Sequence, residues 1–252
     1  MKAIPLYFIP GAMCDERLWL PVIEYLNALA PKVYHCELLS IPKTGDLNTA
    51  VTELSQIIES KSGHSSNLNS SHNLDTRACN IIGFSLGGYL AASFAAKYPQ
   101  QVKKLLLVSS MPSALSDAAL KKRRRTISYI EKHGYQGVSI ERTKALVDQT
   151  HHENMSVLKL IQTMDHQCGG DTLIQQLTLT LQRENVLEKL AQSQLPVSFS
   201  VGDTDCKVNI IELMHLVQNY NEMEHTVTPR TGHMFPLESP EILAQHIIKW
   251  FR

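Results

Sequence analysis

A serine between two glycines stands in the run Gly83-Phe84-Ser85-Leu86-Gly87. The run follows the apolar stretch 79–82 and precedes a segment rich in small residues, so strand, sharp turn and helix are predicted in that order. Glycines leave room at such a turn, which lifts the serine hydroxyl clear of the backbone. A tight turn with an incidental serine is the alternative. We predict that Ser85 is a nucleophile that acts through a covalent intermediate.

The base for this nucleophile is sought later in the chain, because a serine hydroxyl needs a group that accepts its proton. His233 lies on a predicted loop between an extended segment, Glu224 to Thr228, and a final amphipathic helix, Pro240 to Phe251. His225 and His246 fall within that strand and that helix, where structural roles are expected. We therefore predict that His233 is the base.

A carboxylate must hold the base in the productive tautomer. The predicted strand Pro196 to Val201 runs into Gly202-Asp203-Thr204-Asp205. Catalytic groups gather at the carboxyl ends of the strands in an open parallel sheet, so Asp203 and Asp205 both qualify by position. Position alone leaves the choice between them open.

The elements that must position these residues alternate along the chain. Short apolar runs rich in β-forming residues are separated by helical patterns, which predicts an α/β protein with a parallel sheet flanked by helices. Leu47 to Ser60 has one apolar face and is predicted to be a helix packed on the sheet. The polar stretch 62–73 is predicted to be a surface loop without an assigned function. The predicted strands are Ile4 to Ile9, Val33 to Leu39, Ala78 to Phe84, Val102 to Val108 and Pro196 to Val201.

The segment between the strand that ends near Val108 and the next, near Leu195, is far longer than an ordinary strand connection. We predict that residues 111–189 form a helical cap, inserted into a core made of residues 1–110 and 190–252. Its helical patterns cover 118–133, 139–150, 155–168 and 172–183, with Gly134, Gly137 and Gly169-Gly170 between them.

The segments G-F-S-L-G, G-D-T-D-C-K-V and T-G-H-M-F-P-L-E-S-P together resemble the α/β-hydrolase superfamily. The order serine, acid, histidine is the one expected of its members. The resemblance implies an α/β-hydrolase fold with an inserted helical cap. The acid in this superfamily usually closes a G-x-x-D run, which implies Asp205 as the acid and Asp203 as a turn residue.

The resemblance extends to the run from Ile9 to Trp19, which is similar to the oxyanion loop of the superfamily. It implies that the backbone N–H groups of Ala12 and Leu86 donate to the oxyanion. Members often have histidine before the glycine of this loop, where this chain has Pro10. They also commonly have two further strands before the oxyanion strand, so we expect a shortened, mainly parallel sheet of about six strands.

The composition argues against several classes of partner. Lys+Arg and Asp+Glu both number 24, so the formal net charge is zero and nothing favours nucleic acid or an anionic membrane. A small, mostly apolar substrate is therefore expected. Five cysteines without CxxC or zinc-like spacing indicate free thiols, a reducing compartment and thus a cytoplasmic protein. The N-terminal apolar run is typical of a strand rather than a signal peptide, and no apolar stretch has the ~20 residues of a membrane span.

Two further features are assigned no catalytic role. The basic run Lys121-Lys122-Arg123-Arg124-Arg125 lies in a predicted cap helix and is interpreted as a solvated face. His151-His152-Glu153 and Asp165-His166-Gln167-Cys168 lack the spacing of a metal site, and no phosphate-binding glycine motif occurs. No metal and no cofactor are expected.

Together these features predict a serine hydrolase that cleaves a small carboxylic ester or thioester through an acyl-enzyme. The alternatives are a C–C bond hydrolase, a lyase or a perhydrolase with the same catalytic residues, and a ligand-binding receptor with little turnover. Nothing in the sequence indicates an oligomeric state. The cap is expected to supply the substrate pocket, with the candidate contacts Met111, Leu115, Ile127, Tyr129, Ile130 and Met164.

Overall fold

The computed structural model describes residues 3–61 and 78–252. The polar stretch 62–73, predicted to be a loop, lies outside the described residues. The strands within these ranges are β1 (Ile4–Ile9), β2 (Tyr34–Leu38), β3 (Cys79–Phe84), β4 (Val102–Val108), β5 (Val197–Gly202) and β6 (Met223–Thr228). They form one sheet in the order β2-β1-β3-β4-β5-β6, and every pairing is parallel. The prediction of a mainly parallel sheet of about six strands is confirmed.

Helices precede or follow each of these strands. The α-helices among the described residues are α1 (Leu20–Leu29), α2 (Leu47–Lys61), α3 (Leu86–Lys97), α4 (Asp117–His133), α5 (Ile140–Lys144), α6 (Met155–Leu179), α7 (Leu187–Gln192), α8 (Ile210–Val217), α9 (Phe235–Glu238) and α10 (Pro240–Phe251). The last of these has the bounds predicted from its amphipathic pattern.

Successive side chains of β1 enter different apolar layers, because side chains of a strand alternate between the two faces of a sheet. Leu6 and Phe8 are buried together with residues of α1, α9 and α10. Tyr7 and Ile9 are buried on the opposite face with residues of α2, α3, α7 and α8. Helices therefore cover both faces, as the predicted fold class requires.

The strand order changes direction between β1 and β3. The chain leaving β1 continues into α1 on one face of the sheet, whereas the chain leaving β3 continues into α3 on the other face. Connections that diverge in this way open a crevice at the carboxyl ends of the two strands. The predicted oxyanion loop follows β1 and Ser85 follows β3, so the topology places both at this crevice.

The connection between β4 and β5 contains α4, α5, α6 and α7. The helix predicted at 139–150 is wrong beyond Lys144, where α5 ends, and a short 3₁₀ turn at Gln149–His151 follows instead. The carbonyl of Leu146 between them accepts the backbone N–H of His233 at 2.8 Å. That bond to a distant loop holds the chain out of a regular helix.

The helices predicted at 155–168 and 172–183 both occur within α6, where a kink at Gly169, with a non-helical φ of 75°, separates them. The predicted break at this glycine is confirmed. The second helix, however, ends at Leu179 and not near Arg183. Beyond it the chain turns towards the end of β4, where Arg183 donates to the carbonyl of Met111. Residues of the first half of α6 belong to the same apolar layer as residues of α1 and α10. The division at residues 111 and 189 stays a prediction.

Along the two described ranges, no helix has the length and apolar character needed to cross a bilayer. All five cysteines are free.

Candidate active site

Ser85 stands on the turn between β3 and α3 with φ of 51° and ψ of −113°. A positive φ is uncommon for a residue other than glycine and indicates local strain. A Cβ at Gly83 would meet the carbonyl oxygen of Gly87 at 2.5 Å, and one at Gly87 would meet that of Ile9 at 2.5 Å. Both positions must be glycine for the turn to stay this tight.

Three side chains from separate loops meet at this turn. His233 Nε2 lies 3.0 Å from Ser85 Oγ, and His233 Nδ1 lies 2.9 and 3.1 Å from the two carboxylate oxygens of Asp205. Because a carboxylate can only accept, Nδ1 carries the proton and Nε2 of the neutral ring accepts from the Ser85 hydroxyl. Asp203, the other carboxylate considered, is exposed and accepts the backbone N–H of Thr231 at 3.3 Å.

Asp205 is 7% exposed and His233 is 6% exposed. Burial by itself raises the pKa of Asp205, but the hydrogen bond and charge of His233 and the backbone N–H of Lys207, at 2.8 Å, outweigh burial. The pKa of Asp205 therefore lies below its ordinary value. The carboxylate stays ionised at neutral pH and can stabilise a protonated His233.

A second buried carboxyl supports the loop that carries His233. Glu238 Oε2 accepts the backbone N–H of Gly232 at 2.8 Å and that of Asp148 at 2.7 Å. Its other oxygen is buried without a hydrogen-bond partner among the described residues, and burial raises the pKa of Glu238 to about 7. The only sequence sign of this role was the position of Glu238 in the segment that follows the histidine.

A cavity of about 730 Å³ opens beside Ser85 and His233. Ala12 and Leu86, the residues implied as oxyanion donors, also line it. The N–H of Leu86 is at the first position of α3, where a helix leaves its N–H groups without intrahelical partners. A second cavity, of about 540 Å³, is lined by residues of α2 and α3 and contains none of the predicted catalytic residues.

The loop that contains Ala12 is held by α6. The backbone N–H of Met13, whose φ is 57°, donates to Gln176 Oε1 at 3.0 Å in a buried contact. This bond joins residues 163 positions apart. No sequence pattern marks a single helical glutamine as the partner of so distant a backbone group.

Of the predicted substrate contacts, Met111 and Leu115 line the cavity beside Ser85, but Ile127, Tyr129, Ile130 and Met164 are not among its lining residues. Ile127 and Ile130 share a helical face with Arg123, which does line it, but they lie about 6 and 10 Å further along α4. Contact of these residues with substrate stays a prediction.

The other two candidates lie elsewhere. Tyr129 points into solvent and is 63% exposed. Met164 is fully buried in the apolar layer that contains residues of α1 and α10.

The basic run of α4 is exposed at Lys121, Lys122, Arg124 and Arg125, as predicted. The interpretation as a solvated face is wrong for Arg123, which is partly buried, lines the cavity and donates to the hydroxyl of Thr180. Arg183 is a second arginine that lines the cavity, and no motif in the sequence indicated this position.

Two of the side chains considered for a metal have other partners. His152 Nε2 lies 3.0 Å from the carbonyl oxygen of Lys144, and Asp165 accepts from the hydroxyl of Tyr135 at 2.6 Å and the N–H of Val138 at 2.8 Å. Within residues 3–61 and 78–252, no three His, Cys, Asp or Glu side chains form a group that could hold a metal ion.

The family model described as alpha/beta hydrolase fold matches residues 73–240, and the chain belongs to this family. The predicted fold class is confirmed.

Three known proteins show the range of similarity. A pimeloyl-[acyl-carrier protein] methyl ester esterase from Wigglesworthia glossinidia brevipalpis is 24% identical, with the match covering 99% of this chain and 93% of that protein. The biotin biosynthesis bifunctional protein BioHC from Cellvibrio japonicus is 33% identical over 38% of this chain, a match that spans only 17% of the length of BioHC. A thermophilic esterase from Thermogutta terrifontis has a similar fold, with a TM-score of 0.82 at 20% identity, covering 100% of this chain and 90% of that one.

Proposed function

We propose that the protein is a serine esterase that hydrolyses a small carboxylic ester or thioester through an acyl-enzyme intermediate. The observation that carries the proposal is the connected pair of hydrogen bonds from Ser85 Oγ to His233 Nε2, 3.0 Å, and from His233 Nδ1 to Asp205, 2.9 Å. A nucleophile, a base and an orienting acid in this arrangement suit acyl transfer.

In the first half of the reaction, Ser85 Oγ bonds to the substrate carbonyl carbon as its proton passes to His233 Nε2. Asp205 stabilises the imidazolium that forms, and the backbone N–H groups of Ala12 and Leu86 bind the oxyanion. The tetrahedral intermediate then collapses, the C–O or C–S bond breaks, and His233 gives its proton to the leaving alcohol or thiol.

In the second half, a water molecule attacks the acyl-enzyme. His233 accepts a proton from the water, and a second tetrahedral intermediate collapses with cleavage of the bond to Ser85 Oγ. The proton held by His233 returns to Ser85, and the carboxylic acid leaves.

The cavity supports a small-molecule substrate, since about 730 Å³ lies within the usual range of small-ligand sites, roughly 300–1,000 Å³. Residues 111–189 act in this proposal as the cap, because Met111, Leu115 and residues of α4 and α6 line the same cavity as Ser85. Similarity to a methyl ester esterase supports a carboxylic ester as substrate. The free cysteines are compatible with a reducing compartment such as the cytoplasm.

Labelling with a fluorophosphonate probe tests the nucleophile. The wild-type protein should be labelled and Ser85→Ala should not, whereas Ser128→Ala, which changes an exposed serine of α4, should be labelled like the wild type. On nitrophenyl esters of increasing acyl-chain length, Ser85→Ala should lower kcat on the order of 10⁶-fold. An unlabelled wild type, or equal labelling of Ser85→Ala, would overturn the proposal.

A further inference from the structure

Two arginines of the cavity have no carboxylate partner. Arg123 of α4 and Arg183, which follows α6, both line the cavity that contains Ser85. In the described part of the chain neither forms an ion pair. Each guanidinium donates instead to a neutral oxygen, the hydroxyl of Thr180 or the carbonyl of Met111. Arginines withdrawn from solvent are normally paired with an anion, because an unpaired charge is costly to bury.

Arg183 contacts two segments, and each of these segments also contacts the backbone of Ser85. Its Cζ lies 4.0 Å from the ring centroid of Tyr89, one helical turn after Ser85, and the N–H of Tyr89 donates to the carbonyl of Ser85 at 3.1 Å. Met111, which accepts from Arg183, follows Ser110, whose hydroxyl donates to the same carbonyl at 2.8 Å. The guanidinium is therefore held close to the reacting centre.

The two guanidinium groups retain unused capacity for an anion. Arg183 Nε is buried without a hydrogen-bond partner among the described residues. Burial lowers the pKa of Arg183 to about 10, Tyr89 opposes this shift, and the charge of Arg123 adds to it. Burial also lowers the pKa of Arg123. An anion between the two cations would relieve their repulsion.

The remaining charges of the cavity do not neutralise this pair. Asp165 already accepts two hydrogen bonds from the chain between α4 and α5, at 2.6 and 2.8 Å. Lys207 and Glu212 also line the cavity and have opposite charges. The cavity lining, with Arg123, Arg183 and Lys207 against Asp165 and Glu212, thus carries a net excess of one positive charge in a protein whose net charge is zero.

We infer that the substrate carries an oxyanion, a carboxylate or a phosphate, away from its reacting carbonyl, and that Arg123 and Arg183 bind this group. Planar guanidinium groups suit either oxyanion. Apolar side chains such as Met111 and Leu115 line the cavity and can contact the chain that joins the anion to the ester. The inference rests on the proposed esterase function and departs from the expectation of a mostly apolar substrate, which considered only the overall charge balance.

Matched esters test the anion site. The wild-type protein is assayed with the 4-nitrophenyl half-ester of adipate, with the 4-nitrophenyl ester of 5-phosphonopentanoate, and with neutral 4-nitrophenyl hexanoate. The wild type should show the higher kcat/KM on at least one anionic ester, and the better of the two distinguishes carboxylate from phosphate. Arg123→Gln and Arg183→Gln should lower the ratio of kcat/KM, anionic over neutral, by about 10- to 100-fold.

Controls separate recognition of charge from damage to the fold. Arg124→Gln, at an exposed neighbour on α4, should leave the ratio at the wild-type value. Arg183→Lys should recover part of the ratio because it keeps the charge. If Arg183→Gln does not fold, Arg123→Gln decides the matter. A wild-type ratio near one, or glutamine variants that slow anionic and neutral esters equally, would overturn the inference.

A binding measurement keeps this inference separate from the esterase proposal. In calorimetry, Ser85→Ala should bind monomethyl adipate more tightly than methyl hexanoate. The double variant that also carries Arg123→Gln should bind the two ligands with equal affinity. Preferential binding without turnover of any ester by the wild type would support the anion site and overturn the esterase function. Turnover of esters together with equal affinity for both ligands would support the esterase function and overturn the anion site.

Discussion

Replacing Glu238 with glutamine tests the cost of a buried charge behind the loop that carries His233. The side chain is 7% exposed and accepts the backbone N–H groups of Gly232 and Asp148 at 2.8 and 2.7 Å. Glutamine has nearly the same shape and keeps an oxygen for these two donors, but it cannot ionise. The substitution therefore removes the titration of this side chain while preserving its contacts.

The size and sign of the effect follow from the pKa of Glu238, which burial raises from 4.5 to about 7. The folded protein binds this proton more tightly than the unfolded chain does. The stability contributed by protonation is therefore fully present below pH 4.5 and is lost as the pH rises through about 7. The gap between the two values corresponds to roughly 3 kcal/mol, of which about 2–3 kcal/mol falls between about pH 5 and about pH 8.

Urea unfolding of both proteins, at several pH values from about 5 to about 8, measures this quantity. The free energy of unfolding of the wild type minus that of Glu238→Gln should fall by about 2–3 kcal/mol over this range. The subtraction cancels groups common to both proteins. Asp148 and Asp205 have lowered pKa values and stay ionised throughout, and His246, whose pKa burial lowers, titrates in both.

A difference in stability that does not change with pH would refute this reasoning. It would mean that Glu238 ionises in the folded protein as it does in the unfolded chain, so that the two backbone N–H groups compensate fully for burial of the carboxylate.

Two further substitutions test the catalytic acid and the turn. Asp205→Asn should lower kcat by about 10⁴-fold, because an amide at this position favours the wrong tautomer of the histidine, whereas Asp203→Asn should have little effect in the same steady-state assay. Comparable losses in both variants would contradict the assignment of Asp205. Gly87→Ala should lower the free energy of unfolding by about 2 kcal/mol or more, because the added Cβ lies 2.5 Å from a carbonyl oxygen at the end of β1. Gly45→Ala, where a Cβ meets nothing within 4 Å, is its matched control, and equal stability of the two variants in urea would contradict the steric argument.

The sheet could be predicted closely because a buried strand is a local signal. β4 has the predicted bounds, Val102–Val108, and β1 has the predicted bounds, Ile4–Ile9. Each is a short apolar run ended by residues that favour turns. The parallel pairing of the strands could be predicted because helices alternate with them, and a helix between two strands allows both to run in the same direction.

The irregular chain after Lys144 could not be predicted in this way. Its local pattern favours a helix, but the carbonyl of Leu146 is taken by the N–H of His233 and the N–H of Asp148 is taken by Glu238. Both partners are far away in the chain, and tertiary contacts of this kind override local propensity. The contact between Met13 and Gln176 was missed for the same reason.

The sequence by itself determined the candidates Ser85 and His233, because each lies in a short segment whose turn has its own residue requirements. It left Asp203 and Asp205 both open by position, and only the resemblance to the α/β-hydrolase superfamily implied Asp205. Only the tertiary structure decided the charge of the cavity. Five consecutive basic residues point in all directions around a helix, at about 100° per residue, so their pattern does not select a face. The packing of α4 against the end of α6 places Arg123 in the cavity and leaves its neighbours in solvent.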